Sequence, residues 1–285
     1  MTHYLDTHPD IFFPEDKEFH YFGSDIQYED VFENIRDREE YFAQFKNAKP
    51  HQILGETSTW NLYSKRAAEE IHDYNSEAKI IIMLREPVEM LHSLHRHYLY
   101  GGNETIEDFE EALEAESERK KGNRLPETVR FREGLYYREV VQYDEQVRRY
   151  FRTFNENQIH VILFDDFTDE TERVYRDTLR FLKVSTDHET EFERINPSKK
   201  VLNQTFNRFV RNPPAPIEAA VQAFDQWLPA WLFRNPVRRL YRLVNTRPED
   251  RDPIDPELRR ELTNEFRPMI QELEEVLERD LSDWY

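Results

Sequence analysis

Residues 79–93 read KIIIMLREPVEMLHS, and this stretch decides the fold. After Lys79, residues 80–84 are an apolar run rich in β-branched side chains, the composition of a parallel strand covered on both faces. Pro87 follows at the first position of a helix, where its missing N–H costs nothing. The helix is expected to run to about Tyr100 and to stop at Gly101-Gly102. A buried strand turning directly into a helix is the repeating unit of an α/β fold.

Outward from this unit, QILGE at 52–56 and HVILF at 160–164 read as two more short buried strands. Helices are expected over 28–47, 64–74, 106–121, 134–154, 169–182 and 256–280. Ser64 is a suitable N-cap for the second, and Pro268 should kink the last. The fold class is therefore α/β: three layers with a mainly parallel sheet and a helical C-terminal part. Residues 1–285 are expected to form a single domain, with an α/β core over 1–190 and a mostly helical lid and terminal helix over 191–285. Such sheets take ligands beyond the carboxyl ends of their strands. That directs attention to residues 57–59, Arg85, Glu86, Asp165 and Asp166.

Composition narrows the function. The chain of 285 residues has no stretch near the roughly 20 apolar residues of a membrane span. Its first residues, MTHYLDTHPD, lack the basic start and apolar run of a secretory signal. With no cysteine, disulfides, thiolate zinc sites and cysteine nucleophiles are excluded, and a cytoplasmic location is the simplest expectation. The net charge of −19 disfavours nucleic-acid binding, which rests on cationic neutralisation of phosphates. Excess acid together with only 10 lysines is the composition expected of a salt-adapted protein, with an ordinary acidic cytosolic protein as the alternative. Residues 194–242 run against this trend: nine basic side chains face two acidic ones, so the segment carries +7 and the remainder −26. An anionic ligand held locally, or arginines balancing nearby acids, would each account for it.

Three constellations carry chemistry. In 84–93, Arg85 ends a strand and Ser93 lies eight residues on, two turns into the helix. A guanidinium fork, a hydroxyl and the free N–H groups of a helix start suit a phosphate monoester. The plain alternative is an Arg85–carboxylate pair and a solvated Ser93. In PEDKEFHYF at 14–22, Glu18 and His20 would face one side of an extended segment. Aromatic neighbours would raise the carboxylate towards a working base. The alternative is a loop that pins aromatics into the core with its charges outside. GETSTW at 55–60 is a hydroxyl-rich turn after a strand.

In this order and spacing the three resemble the sulfotransferases that use 3′-phosphoadenosine 5′-phosphosulfate, of the bacterial and archaeal kind related to glycan and heparan enzymes. HPDIFFPEDKEFHYF, GETSTW, KIIIMLREPVEMLHSLHRHY, the helix and strand ending HVILFDDFTDE, and the terminal FRPMIQELEEVLERDLSDWY all take part. The resemblance implies a fold like the P-loop nucleotide-binding enzymes. It implies a 3′-phosphate held by Arg85 and Ser93, with Lys199 and Lys200 of NPSKK as further nucleotide contacts. Glu18 would be the base for an acceptor hydroxyl, and His20 its neighbour, orienting it or sharing the role. The acceptor would be a sugar or glycolipid. No metal is implied.

Two departures matter. Thr57 and Thr59 stand where heparan-type relatives carry lysine and proline. The family's first strand and its glycine- and threonine-rich 5′-phosphosulfate loop have no counterpart, and none of Gly23, Gly55, Gly101, Gly102, Gly122 and Gly134 builds a substitute. The expectation is that residues 1–285 alone are poorly stable with little or no sulfotransferase activity, and that a longer form is active. A nucleotide-binding module without turnover is the alternative function.

Three other features read as structural. His92, His95 and His97 are expected to face solvent, residues 107–118 to form a solvated acidic helix face, and 222–244 to pack as a lid. For that last segment, contact with a membrane surface or lipid-linked acceptor is the competing reading. A P-loop kinase is disfavoured by the missing GxxxxGK(S/T).

Overall fold

The computed structural model describes residues 1–15, 18–28, 35–192, 199–201, 246–248 and 253–285. It divides into two compact units. The first comprises Met1–Met90, Arg138–Glu193 and Arg260–Tyr285, the second Leu91–Tyr137 and Arg194–Arg259.

The first unit carries two parallel strand pairs. Strand β1 (Ile11–Phe12) pairs with β2 (Ile53–Leu54), and β3 (Ile80–Leu84) pairs with β4 (Ile159–Leu163). The β3–β4 register runs from Ile80↔Ile159 to Leu84↔Leu163, so both strands end at the same level. The two pairs share no ladder. Gly55 holds the end of β1–β2 together: its N–H donates to the Phe12 carbonyl at 2.9 Å, and a Cβ there would lie 2.3 Å from the Phe13 ring. Only glycine leaves room for the Phe13 ring against this backbone.

Helices α1 (Thr2–Leu5) and α10 (Thr171–Leu182) cover this sheet material. Tyr4, Leu5, Ile11, Tyr175, Leu179 and Leu182 form one buried cluster, with Ile81 packed against it. A second cluster gathers Phe19 and Phe22 of the 18–22 segment, Ile35, Tyr41 of α2 (Arg38–Gln44) and Ala67 of α3 (Ala67–Tyr74). Helix α8 (Tyr143–Thr153) clamps the turn after β2. Tyr150 Oη donates to the Asn61 carbonyl at 2.8 Å, and Arg149 donates to the carbonyls of Leu62 and Tyr63 at 3.2 and 3.0 Å. The terminal helix, α11 (Pro256–Leu277), runs through Pro268 and buries Leu262, Phe266, Met269, Ile270 and Leu273.

Helix α4 (Pro87–Gly101) begins in the first unit, and its residues from Leu91 onward belong to the second. There Glu104 and Arg119 form an ion pair at 2.8 Å with both side chains wholly buried. The Glu104 carboxylate also accepts from Tyr137 Oη at 2.9 Å and from the Thr105 and Ile106 N–H groups at 2.7 and 2.9 Å. Arg119 closes α6 (Glu116–Arg119), which follows α5 (Phe109–Glu114) after a break at Ala115. Strands β5 (Lys199–Val201) and β6 (Thr246–Pro248) form a short antiparallel pair.

Several expectations are corrected. The 28–47 helix begins only at Arg38, because the Asp37 side chain accepts from the Glu40 N–H and caps it there. Residues 29–34 lie outside those described. The 52–56 strand is not buried: Ile53 and Leu54 are 36 % and 52 % exposed. Met83 is also exposed, so β3 is not covered along its whole length. The 106–121 helix is two helices starting after the Asp108 cap, and within its acidic run Glu116 is buried, paired with Lys120 at 2.8 Å. The 134–154 helix is interrupted: a 3₁₀ turn at Arg132–Leu135 and α7 (Tyr137–Val140) precede α8. His92 and His95 are buried rather than solvent-facing. Both rings pack on Phe109, and His95 Nε2 lies 2.8 Å from the Ile106 carbonyl. Most of the basic 194–242 segment and the expected 222–244 lid lie outside the described residues.

Glu104→Gln keeps the shape of the buried acid and leaves the Arg119 charge uncompensated. The expected cost is about 3–5 kcal/mol, measured as a lowered denaturant midpoint with an unchanged slope.

Candidate active site

The β3–β4 register places the residues that follow each strand side by side. Arg85 leaves β3 and Phe164 leaves β4 into α9 (Phe164–Asp169), and the Arg85 guanidinium lies over the Phe164 ring, 5.0 Å from its centroid. Arg85 also donates to Glu89 Oε2 at 2.9 Å, one turn on; the Arg85 side chain is only 17 % exposed. The carboxylate pairing read as the plain alternative is thus present.

The α4 N-terminus corrects another expectation. Its first N–H groups are already taken: Glu86, itself buried, accepts from Val88 at 3.1 Å and Glu89 at 2.7 Å. A carboxylate therefore already occupies the dipole end that was expected to help hold an anion. What an anion can find here is the aromatic-backed guanidinium of Arg85. Ser93 is half-buried and lies two turns along α4. Lys199 and Lys200 lie in β5, outside the residues whose side chains are described.

The 18–22 segment is not extended throughout. His20 has a φ of +51°, the left-handed region, so the chain turns there and Glu18 and His20 do not share a face. Glu18 is exposed while His20 is 3 % exposed. The protein around the Glu18 carboxyl still desolvates it enough to raise its pKa. The His20 pKa is pushed down to about 4, first by burial and then by the charge of Arg36. Tyr28 Oη lies 2.9 Å from His20 Nδ1, with the rings 4.4 Å apart. Burial and the Glu18 charge both push the Tyr28 pKa up, which keeps its hydroxyl protonated.

The structure brings the GETSTW turn against this segment. The His20 N–H donates to Ser58 Oγ at 3.2 Å, and the Ser58 hydroxyl donates to Glu56 Oε1 at 2.6 Å. Tyr41 Oη donates to Glu56 Oε2 at 2.7 Å. Burial raises the Glu56 pKa, against the two hydroxyl donors, which favour its charged form. Tyr28 and Tyr41 were not singled out from sequence: their partners His20 and Glu56 lie 8 and 15 positions away, and the His20–Ser58 bond joins residues 38 apart, so no local pattern marks these pairings. Asp166 is engaged elsewhere, by Arg279 at 2.6 Å. Among the described residues no group of three or more His, Asp and Glu could hold a metal ion.

No family model matches the chain, and no curated protein matches it. Its fold does match solved structures. The crystal structure of a sulfotransferase from Alicyclobacillus acidocaldarius superposes with a TM-score of 0.69 at 29 % identity, covering 99 % of this chain and 91 % of that one. A sulfotransferase domain from the curacin biosynthetic pathway aligns over 52 % of this chain and 44 % of its own, at 15 % identity and a TM-score of 0.34. The fold is that of a sulfotransferase, and the first of these likenesses supports a sulfotransferase enzyme.

The lowered His20 pKa carries a stability consequence. A base whose folded pKa is lowered favours the native state above its ordinary value of 6.5, and that advantage is lost as pH falls from there towards about 4. The raised Glu56 acts with the opposite sign, so a difference between variants isolates His20. His20→Asn, a residue that tolerates the left-handed backbone, should flatten the loss of unfolding free energy between these two pH values. Denaturant titrations at intervals of about half a pH unit across that window measure it, each tenfold change in proton affinity being worth about 1.4 kcal/mol.

Proposed function

We propose that the protein transfers a sulfuryl group from 3′-phosphoadenosine 5′-phosphosulfate to the hydroxyl of a sugar or glycolipid acceptor. The observation that carries this reading is the likeness to the Alicyclobacillus sulfotransferase over nearly the whole chain. The charges of the site support it. Arg85 presents a cation at the carboxyl end of a parallel strand, and Glu18 presents a solvent-facing carboxylate with a raised pKa.

Arg85 and Ser93 hold the 3′-phosphate in this proposal, with Lys199 and Lys200 as further nucleotide contacts. The donor supplies an activated sulfuryl group. Glu18 takes the proton of the acceptor hydroxyl as that oxygen bonds to sulfur. The bond from sulfur to the 5′-phosphate oxygen breaks, and adenosine 3′,5′-bisphosphate leaves. His20, buried and with its pKa depressed, orients this segment rather than serving as the base. Positioning and electrostatics provide the catalysis. A cytoplasmic setting fits the absence of cysteine. No helix among the described residues is long and apolar enough to cross a membrane.

Arg85→Ala should weaken adenosine 3′,5′-bisphosphate by about 2–5 kcal/mol and adenosine 5′-phosphate far less. Calorimetric titration of both ligands checks this, and equal weakening would remove Arg85 from the 3′-phosphate. Glu18→Gln keeps shape and removes basicity. It should leave bisphosphate affinity intact while turnover falls about 10²-fold or more, and turnover equal to wild type would take the base role from Glu18.

A further inference from the structure

Glu56 terminates a hydrogen-bonded path that reaches the His20 backbone from the turn after β2. We propose that Glu56 is a positioning residue that acts through Ser58 to hold the backbone of His20, and with it the direction of the Glu18 side chain. This rests on the reading of Glu18 as the base.

The argument is one of donor and acceptor polarity. A serine hydroxyl has one proton and two lone pairs. The Ser58 proton goes to Glu56 Oε1 at 2.6 Å, which leaves a lone pair of the same oxygen to accept the His20 N–H at 3.2 Å. A carboxylate can only accept, so it fixes the hydroxyl in this sense. Tyr41 Oη at 2.7 Å holds the other carboxylate oxygen, and Tyr41 is itself locked in the aromatic cluster, its ring stacked on Tyr21 at 4.1 Å. The path therefore starts from a rigid point. It ends on a residue that needs holding, because His20 adopts a left-handed φ of +51° that side chains with a Cβ adopt at a cost. The Tyr28 contact at Nδ1 fixes the far end of the same side chain. Relaxing φ at His20 would swing the preceding residues, Glu18 among them, away from their present direction.

Glu56→Gln tests the polarity, because its amide NH₂ can donate to Ser58 and turn the hydroxyl proton against the His20 N–H. Ser58→Ala removes the middle of the path, and Ser58→Thr restores a hydroxyl. Two readouts are taken on each variant: hydrogen exchange of the His20 amide, and steady-state turnover with 3′-phosphoadenosine 5′-phosphosulfate and a sugar acceptor. We expect Glu56→Gln and Ser58→Ala to speed His20 amide exchange about 10-fold or more. They should lower kcat about 10-fold with KM and bisphosphate affinity within about twofold. Ser58→Thr should return both readouts towards wild type. An unchanged His20 amide in both variants overturns the proposal, as does a kcat loss that Ser58→Thr does not rescue. If Glu56→Gln fails to fold, Ser58→Ala and Ser58→Thr decide. If turnover is too low to measure, amide exchange decides alone. A Glu18→Gln variant with wild-type turnover instead removes the reading beneath the proposal and leaves the exchange result standing.

Discussion

The parallel register between β3 and β4 is the constraint on which the site depends. The two strands come from segments nearly 80 residues apart, and five consecutive pairs lock them level, from Ile80↔Ile159 to Leu84↔Leu163. Because the strands stop together, the next residue of each emerges at one place, and Arg85 meets Phe164. A slip by one residue would turn every side chain to the opposite face and separate them. The aromatic face gives the guanidinium a fixed plane, and Glu89 holds one of its nitrogens. A cation kept in this way is ordered before an anion arrives, so less side-chain freedom remains to be lost on binding.

The same end of the unit shows how charge is rationed within an acidic protein. Glu86 takes the first N–H groups of α4, and Glu89 takes Arg85, so two acids already answer the local positive potential. In the proposed reading an anionic ligand competes with them for Arg85. Around Glu56 the economy differs. Its carboxyl is drawn out of water, which raises its pKa, and two hydroxyls answer it in place of a cation. A half-desolvated acid without a paired cation is costly except where its hydrogen bonds are all made. The second unit takes the third solution, a wholly buried Glu104–Arg119 pair with the remaining lone pairs satisfied by Tyr137 and two backbone N–H groups.

Much of the fold was legible in local patterns. The apolar run before Arg85, the proline that opens α4 and the run at 160–164 appear as strand, helix and strand within a residue of where the pattern puts them, because each is decided within a short window of chain. Helix breaks were not legible. Asp37 and Asp108 set helix starts later than the apolar spacing suggests, since each side chain accepts an N–H of the first turn and caps the helix there. Nor was burial: residues 53–54 look like core yet are exposed, and His92 and His95 look like surface yet are buried against Phe109. Burial is a property of what lies opposite, which no window contains.

For the site the division is the same. Sequence by itself determined which chemistries were present: a strand-ending arginine, a carboxylate among aromatics, and a hydroxyl-rich turn after a strand. These depend on residue type and on spacing along one element. Tertiary structure decided how they are wired. It chose the Arg85–Glu89 pair, turned His20 into the left-handed region so that Glu18 faces solvent while His20 does not, and joined Tyr41, Glu56, Ser58 and His20 into one path. The physical reason is that hydrogen-bond polarity and desolvation are set by neighbours up to 38 positions away, brought together only when the chain packs.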